Sequence, residues 1–303
     1  MTFAEPAPTC SALSAAAGEP LAGSAPVRRA WALVEHPGPW GRDALLDSPW
    51  PDGEGARLEP LADSSGVKVL LARRHRTRPA DGVPPEPWVT LAHVGPQGWV
   101  VGARVPLPEL EKLPLDDVAA GRRPVGWSDV PGVWGVCTHG VRDQCCARLG
   151  RPVAATLNDL DPENTWEISH SGGHRMAGVV LALPEGQVYG RVEGRHVVGL
   201  AAARASGEVL PELLRGSSWL GEPEQAADVA LRLFLGTAGR ELRATTWESS
   251  ETLGDATVLT RWTSSTGAWV VPVRREALPE RPGSCGKAPE PASAWFAGPP
   301  TRP

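Results

Sequence analysis

Lysine, long apolar runs and an excess of charge of one sign are scarce or missing in this 303-residue sequence. The lysines are Lys68, Lys112 and Lys287, and the 30 basic residues nearly balance the 35 acidic ones, for a formal net charge of -5. Such a balance predicts neither a nucleic-acid partner nor a membrane-surface partner. No stretch approaches the roughly 20 apolar residues that span a bilayer. The first residues lack the basic start and the apolar run of a signal peptide. We therefore expect a cytoplasmic protein.

Cysteine is also scarce, and its distribution is uneven. The five cysteines are Cys10, Cys137, Cys145, Cys146 and Cys285. An odd number, with three crowded into ten residues, does not resemble the disulfide framework of a secreted protein. In a reducing compartment such crowding indicates metal binding or catalysis.

Two parts of the chain repeat one pattern of short apolar strands and turns. Residues 31–36 align with residues 134–139, and residues 89–92 align with residues 179–182. In both parts the second aligned segment comes just before a predicted hairpin turn. We interpret the pattern as an internal repeat in an α/β protein, with Val34 at the position that Cys137 holds in the second copy.

Thiols and imidazoles follow two predicted strands of the second copy. Cys137 and Cys146 lie close in sequence, and His170 and His174 are separated by a turn with two glycines. Thiolate and imidazole are the natural ligands of zinc and of iron in iron–sulfur clusters, and glycines let a loop turn both imidazoles toward one site. The set suits a [2Fe-2S] cluster with histidines on one iron. It equally suits a tetrahedral Cys2His2 zinc site.

Several motifs in this region are recognisable together. They are C-x-H-G-x-R-D-x-C-C at 137–146, W-E-x-S-H-x-G-G-H at 166–174, L-P-x-G-x-x-Y-G-R at 183–191, the stretch 31–43 and the Ser-Cys-Gly sequence at 284–286. With these motifs the chain resembles the sucrase/ferredoxin-like family of bacteria and fungi. The resemblance implies a thioredoxin-like ferredoxin fold and a [2Fe-2S] cluster held by Cys137, Cys146, His170 and His174. The doubled cysteine makes Cys145 an alternative to Cys146.

The expected organisation combines the repeat with the resemblance. It is a disordered tail over residues 1–27, a degenerate thioredoxin-like unit over 28–120, a thioredoxin-like ferredoxin domain over 124–216, and a C-terminal helix, small β region and Pro-rich tail over 217–303. The expected function is one-electron transfer or redox sensing with a redox partner protein, in a carrier rather than a catalyst. A structural zinc protein and a thioredoxin-like thiol oxidoreductase remain alternatives, although the absence of a C-x-x-C pair weighs against the latter.

Residues around the ligands have expected roles of their own. For His139 and Arg142, in the loop between the cysteines, two roles are open: they donate hydrogen bonds to cluster sulfurs or tune the cluster's charge, or they form local loop structure with Asp143. Cys285 is expected to be an inert cysteine of the tail. Cys10 is expected to be incidental, because it lies in the predicted disordered segment.

Overall fold

The computed structural model describes residues 8–76, 82–237, 245–254 and 256–303. Within these residues the chain forms a mixed sheet of ten strands and an antiparallel sheet of four strands, with helices packed against both. The α/β class expected from the sequence is confirmed. None of the helices in the described ranges is long and apolar enough to cross a membrane.

The ten-stranded sheet is built by two stretches of chain with a similar order of elements. The first part of the chain contains α1 (Cys10–Ala16), β1 (Ala30–Glu35), α2 (Glu54–Ser65), β2 (Lys68–Arg73), β3 (Trp88–His93), β4 (Trp99–Arg104), α3 (Leu115–Ala119) and β5 (Ser128–Asp129). The next part contains β6 (Val133–Cys137), α4 (Gln144–Leu160), β7 (Thr165–Ile168), β8 (Val180–Leu183), β9 (Gln187–Tyr189), α5 (Val197–Ala205) and β10 (Leu214–Ser217).

Two sets of four strands share one order and one set of directions. The strand order across the sheet is β10-β9-β8-β6-β7-β2-β1-β3-β4-β5. In the first set β1 is parallel to β2 and antiparallel to β3, which pairs with β4. In the second set β6 is parallel to β7 and antiparallel to β8, which pairs with β9. The sets meet where β2 and β7 pair antiparallel. The two stretches of chain thus have the same strand order and the same strand directions.

The central strands are buried on both faces, and the faces serve different cores. Ala32 and Val34 of β1 belong to a core with α2 and α3, whereas Trp31 and Leu33 belong to a core shared by both strand sets. Successive side chains of a strand point to opposite faces, so one short apolar run fills two layers. The same shared core contains Cys137, at the end of β6.

The C-terminal region forms a separate sheet that α6 (Glu222–Thr237) covers. Its strands, in the order of the chain and of the sheet, are β11 (Thr245–Leu253), β12 (Thr257–Ser264), β13 (Gly267–Pro282) and β14 (Pro289–Ala297). Leu231 and Leu235 of α6 share a core with Trp262 and Trp269. The segment predicted as a Pro-rich tail therefore forms strand over much of its length. β14 is an edge strand, where prolines need not donate to a neighbour.

The prediction of a disordered tail is wrong for residues 8–27, the part that the structure describes. Thr9 caps α1 by accepting a hydrogen bond from Ala12 N–H, and Ser14 within α1 is buried. Beyond the helix, the buried carboxylate of Glu19 accepts hydrogen bonds from Arg175 and Arg281. Arg281 Nε lies 2.7 Å from Oε2. The first part of the chain is thus held against its last third by a buried ion pair, which composition does not reveal.

We expect Glu19→Gln to destabilise the protein by about 3 to 5 kcal/mol at neutral pH, because it leaves buried arginine charge without its partner. Burial alone would raise the pKa of Glu19, but the hydrogen bonds from Arg281 and Arg175 outweigh it and lower the pKa from its ordinary 4.5 to about 2. A carboxyl group whose pKa is lower in the folded than in the unfolded state stabilises the protein fully above its unfolded-state pKa. That stabilisation is lost as the pH falls through the folded-state pKa. The difference in the free energy of unfolding between wild type and variant should therefore shrink as pH falls from about 4.5 to about 2. Urea unfolding curves at several pH values measure it.

The matched control is Glu251→Gln, which removes a carboxylate from an exposed pair with Arg261. Exposed pairs contribute about 1 kcal/mol or less, so this variant should differ little from wild type at any pH. Equal effects of the two substitutions would contradict a structural role for the Glu19 ion pair.

Candidate metal centre

One strand end and one loop bring a thiol and an imidazole together. β6 and β7 are parallel neighbours, with Cys137 opposite Ile168 in register. The carboxyl ends of the two strands therefore lie at the same edge of the sheet, and the chain after β7 reaches His170 within two residues. Nδ1 of His170 lies 4.0 Å from Cys137 Sγ and 3.7 Å from Cys146 Sγ. The ligand atoms of these three residues all lie within 4.8 Å of one another.

The N-terminus of α4 positions the second cysteine. Asp143 caps the helix by accepting a hydrogen bond from Cys145 N–H at 2.9 Å, and α4 begins at Gln144. Burial alone would raise the pKa of Asp143, but hydrogen bonds from Cys285 N–H and Cys145 N–H hold it well below the usual range. The cap is therefore a carboxylate at any ordinary pH.

The two adjacent cysteines of α4 face different surroundings. Successive helical residues are about 100° apart around the axis, and Cys146 contacts Cys137 and His170 while Cys145 contacts Cys10 and Cys285. The structure thus places Cys146 with the other predicted ligands. The thiol of Cys145, the alternative ligand expected from the sequence, lies in a separate group with Cys10, Asp143 and Cys285.

The two thiols of the centre lie close together and differ in their pKa. Both are buried, and Cys137 accepts a hydrogen bond from the Cys146 thiol. This bond and the neighbouring His170 hold the pKa of Cys137 well below its usual range, whereas donating to Cys137 and burial raise the pKa of Cys146. A cation at the centre would bind the thiolate of Cys137, whose lowered pKa favours this ionised form.

His174 lies on the far side of His170 from the thiols. Its Nδ1 is 3.3 Å from Nε2 of His170, and the two ring centroids are 5.0 Å apart. The other nitrogen, Nε2, donates to the carbonyl oxygen of Gly283. This bond assigns the proton to Nε2 and leaves the lone pair of Nδ1 directed at the centre. Burial lowers the pKa of His174, which favours its neutral form.

His139 supports the loop rather than a sulfur. Its Nδ1 accepts the backbone N–H of His170 at 3.2 Å, and its Nε2 donates to the carbonyl of Gly41 at 2.7 Å. Both ring nitrogens of His139 are thus engaged with backbone groups and not with a sulfur. Arg142 is exposed and lines a cleft of about 270 Å³ that reaches His170. Any effect of Arg142 on the centre is thus electrostatic, across solvent.

A buried arginine shapes the loop between the histidines. Arg215 in β10 donates to the carbonyl of Gly172 at 3.0 Å and to Ser24 Oγ at 3.0 Å. Burial lowers its pKa to about 10, so it stays charged at neutral pH. Gly173 has a φ of 76°, and a Cβ there would overlap the guanidinium of Arg215. Sequence reasoning missed Arg215; its signal is a single arginine inside an otherwise uncharged, buried strand.

The remaining cysteines form a second group with Asp143. Ligand atoms of Cys10, Asp143, Cys145 and Cys285 lie within 4.8 Å of one another. Cys10 and Cys285, expected to be incidental and inert, both contact the Cys145 thiol. Each of the two groups has donor atoms that can hold a metal ion.

Residues 102–216 match the family model described as Sucrase/ferredoxin-like. The matched segment starts within β4 and ends within β10, so it includes Cys137, Cys146, His170 and His174. The match confirms, over this segment, the resemblance seen in the sequence motifs. Comparison with curated proteins and with solved structures found no match.

We expect Gly150→Ala to disrupt the centre. A Cβ at Gly150 of α4 would overlap the carbonyl oxygen of Cys137, so the helix must move away from β6. Overpacking of this kind costs about 1 to 3 kcal/mol, and the movement would separate Cys146 from Cys137. Thermal unfolding and the amount of bound metal should both decrease.

Gly199→Ala in α5 is the matched control. Its Cβ would meet only Leu210 Cδ1, at 3.8 Å, and the site is exposed. Alanine is favoured over glycine in a helix by about 1 kcal/mol, so this variant should be as stable as wild type or more stable. Full metal content in Gly150→Ala would show that the close contact of α4 with β6 does not position the thiols.

Proposed function

We propose that Cys137, Cys146, His170 and His174 hold a [2Fe-2S] cluster, and that the protein transfers single electrons to or from another protein or senses redox state. The observation that carries the proposal is the order of donors across the centre. The two thiols lie at one end, His170 is next to them and His174 is beyond His170. When bound, such a cluster supplies a one-electron couple whose potential histidine ligation raises.

The shape of the centre favours two metal ions over one. A single tetrahedral zinc ion needs its four donor atoms about 3.8 Å apart, given metal–ligand bonds of about 2.0 to 2.3 Å. Here the thiols and His170 Nδ1 satisfy that spacing, but the ring of His170 separates them from His174. An elongated centre with cysteines at one end and histidines at the other suits a cluster with mixed ligation.

The surroundings of His174 are those of a metal ligand. Ligating histidines commonly donate their second ring N–H to a carbonyl or carboxylate, which fixes the ring and its tautomer. The carbonyl of Gly283 accepts that hydrogen bond. Since Gly283 lies just after β13, the C-terminal sheet contributes to the centre even though the four ligands lie outside it.

The topology supports a thioredoxin-like fold for both strand sets. In each set a parallel strand pair joined through a helix is followed by an antiparallel hairpin, in the order that the resemblance to thioredoxin-like ferredoxins implies. Val34 pairs with Leu71 in β1 and β2 as Cys137 pairs with Ile168 in β6 and β7. The first unit is then a degenerate copy, with Val34 in place of the ligand.

A partner can approach the centre from one side. The cleft that His170 and His139 line is open to solvent, and its walls carry positive and negative side chains. The cations at this cleft are Arg28, Arg42, Lys68 and Arg142, and the anions are Asp43, Glu59 and Asp63. We propose that a redox partner protein docks here, because the cleft gives an approach to an imidazole of the centre.

A thiol oxidoreductase is less well supported than an electron carrier. Cys137 and Cys146 are each only 2% exposed. A thiol that reduces protein disulfides must reach its substrate, and these two thiols face each other and His170 instead.

The first test is elemental analysis and a visible spectrum of the protein purified without oxygen. We expect iron and sulfide in equal amounts, about two of each per chain, with visible bands that bleach on reduction by dithionite. A colourless protein with zinc and no sulfide would assign the four residues to a structural site and end the proposal of electron transfer.

We further expect His174→Cys to retain a cluster with a lower reduction potential. Replacing an imidazole by a thiolate adds negative charge, and all-cysteine clusters lie below histidine-ligated ones by on the order of 100 mV or more. Redox titration followed by visible absorption measures the shift. The matched control is His196→Cys, at the start of α5 and away from the centre, whose potential should equal that of wild type. An unchanged potential in His174→Cys would show that His174 is not a ligand.

A further inference from the structure

Three cysteines that are far apart in sequence meet beside the first turn of α4. Cys145 Sγ lies 3.6 Å from Cys10 Sγ and 3.4 Å from Cys285 Sγ. The oxygens of Asp143 lie 3.6 and 3.7 Å from Cys10 Sγ. Among the described residues this group is distinct from the centre at Cys137, because the side chains of Cys145 and Cys146 diverge from the helix.

The spacing of these atoms matches a tetrahedral ion. Bonds of about 2.3 Å to sulfur and about 2.1 Å to oxygen place neighbouring ligand atoms about 3.5 to 3.8 Å apart. Cys10 Sγ lies 3.6 Å from Cys145 Sγ and 3.6 to 3.7 Å from the Asp143 oxygens, Cys145 Sγ lies 3.4 Å from Cys285 Sγ, and all four ligand atoms lie within 4.8 Å of one another. A disulfide would need two sulfurs about 2.05 Å apart and would leave the third thiol and the carboxylate unused.

We propose that Cys10, Cys145, Cys285 and Asp143 form a second metal site, which binds one Zn²⁺ as a structural ion. Zinc is the divalent cation best suited to three thiolates and a carboxylate in a closed tetrahedral site. The proposal does not depend on the nature of the metal at Cys137.

The groups around the sulfurs favour thiolate ligands. Ser11 Oγ donates a hydrogen bond to Cys145 Sγ at 3.3 Å, and Cys10 N–H donates to Cys285 Sγ at 3.3 Å. Cys145 lies in the first turn of α4, a helix of 17 residues, where the helix dipole stabilises negative charge. Hydrogen bonds to ligating sulfurs are the usual support of a metal–thiolate site.

The carboxylate is oriented before any ion arrives. Asp143 Oδ2 accepts hydrogen bonds from Ser284 Oγ and Cys285 N–H, each at 2.8 Å, while Oδ1 accepts Cys145 N–H at 2.9 Å and the Cys10 thiol at 3.7 Å. Each carboxylate oxygen has two lone-pair sites, and a cation that displaces the thiol proton of Cys10 would occupy the side of the carboxylate that now accepts that proton. These contacts hold the carboxylate on the side where the three thiols converge.

The site is reachable and has a structural consequence. Cys145 lines a cavity of about 400 Å³ that opens to solvent, and Cys285 is half-buried. An ion there would join α1, the start of α4 and the loop between β13 and β14. That loop also presents Gly283 to His174, so the ion would fix the segment that supports the first centre.

The test measures zinc and iron by mass spectrometry on full-length protein purified anaerobically under reducing conditions. Wild type should hold one zinc per chain in addition to the metal at Cys137. Cys10→Ser/Cys285→Ser should lose that zinc, with an affinity for added Zn²⁺ at least about 100-fold lower, since losing two ligands exceeds the 10- to 100-fold cost of changing outer groups. His170→Ala/His174→Ala is the control, and it should keep this zinc while losing the metal of the first centre.

Cobalt titration guards against misfolding of the double serine variant. Added Co²⁺ should give near-ultraviolet thiolate charge-transfer bands with a 1:1 end point in the His170→Ala/His174→Ala protein, which retains all three thiols of the proposed site. Absence of that 1:1 binding, zinc that persists in the double serine variant, or loss of two titratable thiols to a disulfide would each overturn the proposal. If the first centre itself holds zinc, wild type has two zinc ions and each variant has one.

Discussion

The arrangement of both cysteine groups depends on the carboxylate of Asp143. It caps α4 through Cys145 N–H and at the same time binds Ser284 and the backbone of Cys285 from the far end of the chain. The cap fixes where α4 begins, and the start of the helix fixes which way Cys145 and Cys146 point. A buried carboxylate satisfied by several donors is costly to leave unpaired, so the C-terminal loop is held in place by the same interaction that orients the thiols.

The sheet provides the second constraint. β6 and β7 are parallel, so their carboxyl ends deliver a thiol and an imidazole to one edge, and the shared core beneath them includes side chains from both strand sets. The antiparallel pairing of β2 with β7 makes the two sets one continuous sheet. The first strand set, which lacks the ligands, therefore packs directly under the centre and supplies Gly41, whose carbonyl holds His139.

Several elements could be predicted because their signals are local. The strands around Val136 and Leu181 are continuous apolar runs, and the turn before Gly186 is marked by proline and glycine. The candidate ligand pairs were recognisable because thiols and imidazoles at short spacing are typical of metal sites. The prediction of disorder for residues 8–27 was wrong because that segment has little apolar surface, and it is held instead by Glu19, whose arginine partners lie more than 150 residues away.

The sequence by itself determined the α/β class, the similar strand order of two parts of the chain and the resemblance to the sucrase/ferredoxin-like family over residues 102–216. It also identified the two thiols that lie beside His170. Only the tertiary structure decided that Cys146 rather than Cys145 faces Cys137, that His174 lies beyond His170, and that Cys10 and Cys285 meet. The reason is physical. Local patterns report on neighbours within a few residues, whereas the direction of a thiol depends on where a helix is capped and on which distant segments pack beside it.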